Sequence, residues 1–155
     1  MPDAVKMINL AEKLNAMVPI ARSRTGLLGY ESRRRKIPLI RIEEFFDGND
    51  EERSLIRGAH HTGLSKMRLI LSEVERCPKV LSVRIAVSEY AEPKETRKWP
   101  YANRVLIVAS LRREELAQLF RPLRPTEIIV GREESYFGVP EIPGGATLFD
   151  IGWSE

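Results

Sequence analysis

Val105-Leu-Ile-Val-Ala109 is the longest aliphatic run of the chain, and it decides how the rest of the sequence can be arranged. Because apolar side chains occur here at consecutive positions, a strand formed by residues 104–109 would bury both of its faces, as strands in the middle of a sheet do. Upstream, Val83, Ile85 and Val87 alternate with smaller or polar residues, which is the two-residue period of a half-buried strand. The two runs predict two strands, of which the later one lies at the centre of the sheet.

Helical periodicity occurs on both sides of these strands. One pattern extends from Leu64 to a stop at Pro78, a second follows Ser110, a residue type that favours the N-cap position, and a third fills residues 4–18. The three apolar stripes consist of Met67, Ile70, Leu71 and Val74; of Leu116, Leu119 and Phe120; and of Met7, Leu10, Ala11, Leu14, Met17 and Val18. Their spacing of three and four residues predicts three helices, each with one buried face.

Three further β-type runs, at 37–42, 126–130 and 146–153, complete the pattern. From residue 37 the order is strand, helix, strand, strand, helix, strand, with one more strand at the end. This order predicts an α+β fold, namely a ferredoxin-like two-layer sandwich (split βαβ, βαββαβ) with an extra N-terminal helix and an extra C-terminal strand. Right-handed crossovers would place both crossover helices on one face of the sheet. We expect the N-terminal helix, or else a second subunit, to cover the other face.

Length and composition fit one domain that buries a core of its own. With 155 residues, 43% of them hydrophobic, the chain needs neither metals nor disulfides to fold. We expect residues 37–155 to form a single α+β domain, preceded by residues 1–36 as an amphipathic helix plus a basic linker. The longest aliphatic run is too short for a transmembrane helix, so no membrane partner is predicted. The start of the chain also lacks the apolar core of a secretory signal.

The single cysteine, Cys77, excludes an internal disulfide and is typical of the reducing cytoplasm. It falls at the C-terminal end of a predicted helix, where the partial negative charge of the helix disfavours a thiolate. We therefore interpret Cys77 as a packing residue and expect a cytoplasmic protein.

Charge is segregated along the chain, although the formal net charge is only +3. Residues 20–41 contain seven Lys and Arg residues against one Glu, a local charge of +6. Residues 42–52 contain six acidic residues and no cation, a local charge of −6. A domain with this dipolar pattern orients a charged partner as it approaches.

Two basic segments, 22–41 and 94–104, are candidate binding sites. Arginine and lysine in the first could neutralise phosphates, and the second mixes cations with aromatic surfaces on which bases can stack. The plainer interpretations are favoured: a solvated or internally paired first segment, and aromatic residues that pack in a hairpin. The candidate residues are Arg33, Arg34, Arg35 and Lys36 in the first segment and Arg97, Lys98, Trp99 and Tyr101 in the second.

Motifs for catalysis are weak. The sequence contains no Gly-x-Ser-x-Gly nucleophile motif and no Gly-rich phosphate loop ending in Gly-Lys-Ser/Thr. His60 and His61 could bind a metal together with Asp47 or Asp50, but adjacent histidines rarely reach the same ion. We predict no catalytic residue, no metal site and no cofactor.

The run Ile37-Pro-Leu-Ile-Arg-Ile-Glu-Glu-Phe-Phe-Asp-Gly-Asn-Asp50 resembles a segment of small uncharacterised bacterial proteins. Trp99-Pro-Tyr101 before a strand and the turn Pro143-Gly-Gly145 extend the resemblance to about residues 37–153. The resemblance implies a single-domain bacterial protein and assigns no functional residue.

A full core, segregated charge and the lack of a convergent titratable cluster favour a non-catalytic protein-interaction or accessory module. Bacterial immunity and antitoxin-like proteins, which occlude a surface of their partner, are of this kind. The expected partner is another protein, and a homodimer is compatible with the sequence. The first alternative is nucleic-acid binding through residues 22–41 and 94–104. The second is a metal-assisted enzyme that uses His60 and His61.

Overall fold

The computed structural model describes residues 2–18, 36–58 and 61–154. These residues form four α-helices and six strands in a mixed α+β arrangement. The helices are α1 (Ala4–Met17), α2 (Ile42–Phe46), α3 (Leu64–Arg76) and α4 (Arg113–Phe120), and the strands are β1 (Ile37–Ile40), β2 (Val80–Glu89), β3 (Tyr101–Ala109), β4 (Glu127–Val130), β5 (Tyr136–Phe137) and β6 (Thr147–Gly152). Short 3-10 helices occupy Glu52–Ser54, Arg121–Leu123 and Glu133–Ser135.

One sheet contains all six strands, in the order β4-β6-β3-β2-β1-β5. Each neighbouring pair is antiparallel except β1 and β5, which run parallel. The strand built on Val105–Ala109 lies inside the sheet between β2 and β6, as its apolar faces predicted. The two strands at the edges are short: β4 has four residues, as β1 does, and β5 has two.

The ferredoxin-like arrangement is not confirmed. In a split βαβ unit, two strands joined by a helix run parallel with another strand between them. Here α3 joins β1 to β2, yet these two strands are direct antiparallel neighbours, with Leu39 opposite Ala86 and Ile40 opposite Ile85. The segment between them contains two helices and a 3-10 turn, which is long enough to return the chain beside its own starting strand.

The helices pack on one face of the sheet. Phe149, Ile151 and Trp153 of the C-terminal strand region point to this face together, as their spacing predicted. The core here also includes the apolar stripes of α1, α3 and α4, namely Met7, Leu10, Leu14, Leu64, Met67, Leu71, Val74, Leu116 and Phe120. The N-terminal helix α1 therefore belongs to the helical layer and does not cover the opposite face, contrary to expectation.

A smaller apolar cluster covers the second face. Leu39, Ala86, Leu106, Val108 and Leu148 lie under Tyr136, and residues 139–146 add Val139, Ile142 and Ala146. The segment after β4 therefore fills the place that the sequence analysis assigned to the N-terminal helix or to a second subunit. Sequence periodicity could not show this, because the covering segment is irregular apart from the short β5.

The start of α1 is attached to the loop after α2. Asp3 caps α1 by accepting hydrogen bonds of 3.1 Å from the N–H groups of Val5 and Lys6, and its own N–H donates to the carbonyl of Gly48 at 2.8 Å. Gly48 has a φ of +80°, and a Cβ there would lie 2.9 Å from the Cβ of Asp3. Glycine is required at this position both for its conformation and for the close approach of α1.

The beginning of α4 differs from the sequence prediction. Helix α4 begins at Arg113 with Arg112 as its N-cap, so Ser110 does not cap it. The short helix α2 follows β1 directly, and its Phe45 and Phe46 are buried in the core. The predicted basic linker falls almost entirely at residues 19–35, outside the described residues. No helix within the described ranges is long and apolar enough to cross a membrane.

Candidate interaction surface

A cluster of polar side chains around one buried carboxylate lies on the second face of the sheet. Asp150 of β6 is completely buried. Its carboxylate accepts a hydrogen bond from Arg104 Nε at 2.7 Å and another from the Tyr136 hydroxyl at 2.6 Å. Arg104 Nη1 reaches the carboxylate of Glu127 at 2.6 Å, and Arg132 Nη1 lies 3.8 Å from Asp150. We call Arg104, Glu127, Tyr136 and Asp150 the buried ion cluster.

The neighbours of Tyr136 and Arg104 in the buried ion cluster shift the pKa of both side chains upward. Burial and the neighbouring carboxylate of Asp150 raise the pKa of Tyr136, so the hydroxyl remains a donor. Burial alone would lower the pKa of Arg104, but hydrogen bonds to Asp150 and Glu127 outweigh it and raise that pKa. The carboxylate of Asp150 is therefore enclosed by donors and has no access to a substrate. The cluster is a structural element of the sheet.

Gly152 provides the space that the Arg104 side chain uses. The two residues are opposite each other in the β3–β6 ladder. A Cβ on Gly152 would lie 2.5 Å from Arg104 Cζ and 2.8 Å from Nη2. The guanidinium therefore crosses the strand over the glycine to reach Asp150, and any side chain at this position would displace it.

The buried ion cluster fixes the position of strand β4. Arg104 belongs to β3, Asp150 to β6 and Glu127 to β4, so charge-assisted hydrogen bonds connect three adjacent strands. Tyr136 adds the segment that follows β4. Because the edge strand is held at both its beginning and its end, its outer edge has a defined position.

The outer edge of β4 carries exposed apolar side chains. Val130 is 58% exposed, and Ile128 and Ile129 are half-buried. Within the described residues, β4 pairs with β6 on one side and with no strand on the other. An apolar edge with free backbone N–H and C=O groups can pair with another chain.

A basic groove runs beside this edge, between α4 and the beginning of β4. It has a volume of about 780 Å³ including its open mouth. Arg113, Ala117 and Arg121 follow one another at four-residue spacing along α4 and its 3-10 extension. The groove is lined by Arg113, Ala117, Arg121, Arg124, Pro125, Thr126, Glu127 and Ile128, and we call it the arginine groove.

Two arginines of this groove have no acidic partner in the part of the chain that the structure describes. Arg113 and Arg121 are exposed, and neither forms an ion pair or hydrogen bond with a described residue. By contrast, Arg41, Arg57, Arg68 and Arg112 each pair with a carboxylate. The arginine groove and the β4 edge together form a surface that is both basic and apolar.

The aromatic residues of the predicted 94–104 site are buried. Trp99 and Tyr101 are 3% and 5% exposed. The guanidinium of Arg57 lies 3.6 Å from the centre of the Tyr101 ring and also pairs with Glu89 at 3.2 Å. These aromatic surfaces pack inside the β2–β3 connection, which is the plainer interpretation of the sequence analysis. Arg97 and Lys98, in contrast, are exposed at its surface.

The basic segment 22–41 lies mostly outside the described residues. This applies to Arg33, Arg34 and Arg35. Lys36 is described and exposed directly before β1. Arg41 at the end of the segment is bound to Glu44 through its Nε at 3.2 Å. Of the four candidate residues in the first segment, Lys36 alone is among the residues that the structure describes.

Of the two candidate histidines, His61 is described, and both of its ring nitrogens contact other groups of the protein. His61 Nδ1 lies 3.0 Å from the carbonyl oxygen of Ile56, and Nε2 lies 3.3 Å from Glu52 Oε2. The same Glu52 oxygen accepts the N–H of Leu64, the first residue of α3, at 2.9 Å. His60 is outside the described residues. Asp47 pairs with Arg68 at 2.6 Å. Among the described residues, no three His, Cys, Asp or Glu side chains are grouped so that they could hold a metal.

Sequence reasoning missed both features of the β4 region. Asp150 interrupts the apolar run Leu148-Phe-Asp-Ile151, and a lone acid in a buried strand is a signal for a buried partner. The partner Arg104 begins the predicted strand 104–109 and also ends the basic segment 94–104, and 46 residues separate it from Asp150 in sequence. The arginine groove also had a signal, the four-residue spacing of Arg113, Ala117 and Arg121.

The comparisons with known proteins give a family and no activity. No curated protein and no solved structure matches the chain. Residues 18–151 match a family model that is described as the uncharacterized protein YfbO family. This range includes β1 to β5, most of β6, the buried ion cluster and the arginine groove. The expected resemblance to an uncharacterised family is confirmed: the chain belongs to the uncharacterized protein YfbO family.

Proposed function

We propose that this protein is a non-catalytic protein-interaction module that binds through the β4 edge and the arginine groove. The partner contributes an extended segment that carries acidic residues. This role fits an accessory protein of the bacterial cytoplasm, of the immunity or antitoxin kind, which works by occluding a surface of its partner.

The observation that carries the proposal is the combination of exposed Val130 with the unpaired Arg113 and Arg121. An extended segment that adds to the edge of a sheet gains backbone hydrogen bonds, while side-chain contacts beside the edge select its sequence. Arginines select carboxylates, because the guanidinium fork matches both carboxylate oxygens. The surface therefore favours an acidic extended partner.

The two alternatives have less support from the described residues. For nucleic-acid binding, Arg97 and Lys98 are exposed, but burial of Trp99 and Tyr101 removes the expected stacking surfaces. For a metal-assisted enzyme, the ring nitrogens of His61 already face a backbone carbonyl and a carboxylate that caps α3.

The test is recovery of a partner by two charge-reversal variants of the tagged full chain. Arg113→Glu with Arg121→Glu reverses the arginine groove, and Arg97→Glu with Lys98→Glu reverses an exposed pair on another surface. Each is exposed to lysate of the native host, with and without nuclease. We expect a stoichiometric protein complex that resists nuclease, is lost in the groove variant and is retained by the loop variant.

Other results would contradict the proposal in identifiable ways. If both variants retain the protein complex equally, the interaction uses a different surface. Nucleic acid that is recovered by the wild type, removed by nuclease and lost in the Arg97→Glu, Lys98→Glu variant would support the nucleic-acid alternative. Zinc or another metal that copurifies in stoichiometric amount and is lost in His61→Ala would support the metal-assisted alternative.

A further inference from the structure

Backbone geometry shows which groups of β4 face outward. Gly131 donates its N–H to the carbonyl of Leu148 in β6 at 2.9 Å. In an antiparallel ladder, alternate residues bond to the same neighbour. Ile129 and Glu127 therefore face β6 with their N–H and C=O groups, as Gly131 does. The N–H and C=O groups of Ile128 and Val130 point to the outer edge.

This edge lacks the features that usually prevent pairing. β4 contains no proline or lysine, and its register with β6 has no irregularity over four residue pairs. Its single charged residue, Glu127, is turned toward Arg104. The opposite edge strand, β5, is only two residues long and is followed by Gly138 and Pro140. Natural sheets protect their edges by very short strands, prolines and charges. β4 has twice the length of β5, and it has neither a proline nor a charge directed to its outer side.

We propose that β4 pairs with β4 of a second copy, antiparallel about a two-fold axis at Ile129. With Ile129 facing itself, Ile128 of each copy lies opposite Val130 of the other. These residues have outward-facing N–H and C=O groups, so each pair exchanges both of its backbone hydrogen bonds. The dimer then has one continuous sheet and a closed, isologous interface.

Charge complementarity supports this register. The arginine groove borders residues 124–128. Two-fold pairing about Ile129 places Gly131 of the second copy opposite Glu127, so the turn that follows β4 in that copy begins next to the groove. Glu133 and Glu134 are exposed, and neither forms an ion pair within the described residues. The second copy therefore brings two unpaired acids toward the unpaired Arg113 and Arg121. By symmetry the same contact forms twice.

The inferred dimer rests on the proposed function, because it uses the same surface. The second copy of the chain is the first molecule that occupies this surface. A protein partner that adds an acidic strand at β4 would use the groups that the second copy uses. The dimer is then the resting form, and partner binding requires its dissociation. The two interactions compete, so each lowers the apparent affinity of the other by mass action.

The first experiment measures the mass of the full chain by sedimentation over a series of protein concentrations. We expect the average mass to rise from 17.7 kDa toward twice that value as concentration increases. Val130→Pro removes an outward N–H without touching the β4–β6 ladder, and it should remain monomeric over the whole range. Val130→Thr keeps the backbone donor and the branched side chain, and it should dimerise like the wild type.

The second experiment uses charge reversal and leaves the core unchanged. Glu133→Lys with Glu134→Lys places cations against the arginines of the second copy, and Arg113→Glu with Arg121→Glu places acids against acids. Each variant alone should dimerise at least about tenfold more weakly than the wild type, which corresponds to about 1.4 kcal/mol. An equimolar mixture of the two should recover dimerisation, because both interfacial contacts of the mixed dimer are again attractive.

A chain that remains monomeric at every concentration would overturn the inference. So would a dimer that tolerates Val130→Pro, or one whose charge variants are not restored by mixing. These outcomes are separable from failure of the proposed function. If the wild type is monomeric but loses a protein partner on groove reversal, self-pairing is wrong and the interaction function stands.

Discussion

At the scale of single residues, Gly152 and Arg104 show how an absent side chain can organise a sheet. The guanidinium lies over the glycine, and from there it bonds to the carboxylates of Asp150 and Glu127. Breaking a buried ion pair leaves an uncompensated charge, which costs more than the pair contributes. A substitution at residue 152 therefore changes the stability of the fold through Arg104, which lies opposite it on β3.

We expect Gly152→Ala to lower the free energy of unfolding by about 2 to 3 kcal/mol, because the new methyl group moves Arg104 away from the buried carboxylate. Urea denaturation followed by circular dichroism measures this change. Gly144→Ala is the matched control, since a Cβ there meets no atom within 4 Å. Equal stability of the two variants would mean that Arg104 reaches Asp150 by another route.

Tyr136→Phe tests the other donor of the cluster. Its hydroxyl donates to Asp150, and we expect its loss to cost about 2 kcal/mol at neutral pH. The raised pKa of Tyr136 also predicts an alkaline effect: its stabilising contribution is complete below the ordinary tyrosine value of 10.0 and is lost as the pH rises toward the higher folded value. The wild type should therefore lose stability above pH 10.0, and the variant should show a smaller slope of stability against pH there. Equal slopes would contradict the assignment.

Few of these residue contacts could be predicted from the sequence. The strand positions of Asp150 and Arg104 were predicted, but their pairing depends on the β3–β6 register, which brings together residues far apart in the chain. The burial of Trp99 and Tyr101 was predicted only as one of two interpretations. The sequence shows that a cation and an aromatic residue are close along the chain. It does not show whether the aromatic ring faces the core or the solvent.

At the scale of elements, the Phe-Phe-Asp-Gly-Asn-Asp run works as a junction. Phe45 and Phe46 pack in the core, and Gly48 accepts the N–H of Asp3 at the beginning of α1. Asn49 donates to the carbonyl of Phe45 at 3.3 Å and to the hydroxyl of Ser54 at 2.8 Å. The most distinctive run of the chain thus connects α1, α2 and the following 3-10 turn, and its residues have structural partners.

The beginning of α3 depends on an acid from that 3-10 turn. The N–H of Leu64 and the ring of His61 lower the pKa of Glu52 below its ordinary value of 4.5. A lowered pKa stabilises the fold above the unfolded value, and this stabilisation is lost as the pH falls through the folded value. We expect the wild type to lose part of its stability below about pH 5, and Glu52→Gln to reduce the slope of stability against pH in that range.

The measurement is thermal unfolding between pH 3 and pH 7 for the wild type, Glu52→Gln and Glu114→Gln. Glu114 lies in the first turn of α4, forms no ion pair with a described residue, and serves as the control. If the Glu52 and Glu114 variants have the same acid profile as the wild type, the acid at residue 52 has no role in capping α3.

Elements with a clear period were predicted well. The stripe from Leu64 to Val74 is α3, and the alternation of Val83, Ile85 and Val87 is β2. The N-terminus of α4 was misplaced: Ser110 has the favoured residue type, but Arg112 is the N-cap, and its N–H donates to the Glu115 carboxylate at 3.0 Å. Residue type alone does not determine which of several neighbouring residues becomes the cap.

At the scale of the whole molecule, the order of strands in space differs from their order in the chain. β6 is the last strand in the chain, and it lies between β3 and β4 in the sheet. Local patterns predicted five of the six strands and the α+β class, and missed the two-residue β5. They carry no information on which distant strands pair with each other. A ferredoxin-like order and the observed order use similar elements, so periodicity could not decide between them.

Hydrogen exchange should follow this spatial order. Amides of β3 between Val105 and Val108 have strands on both sides and should exchange slowest. In dilute protein, the amides of Ile128 and Val130 should exchange fastest within β4, because they point to the outer edge. Exchange monitored by NMR measures both. Slow exchange at Ile128 and Val130 in a chain shown to be monomeric would place another segment of the same chain on this edge.

The late position of β6 in the chain also has a consequence for synthesis. β4 is made before its single intramolecular neighbour, and residues 131–152 take about one to four seconds to add at typical translation rates. During that interval the nascent β4 has no native strand on either side. Chains growing on neighbouring ribosomes of one messenger would then present the same unpaired segment to each other, so the rate of translation through residues 131–152 influences how much of the protein reaches the native sheet.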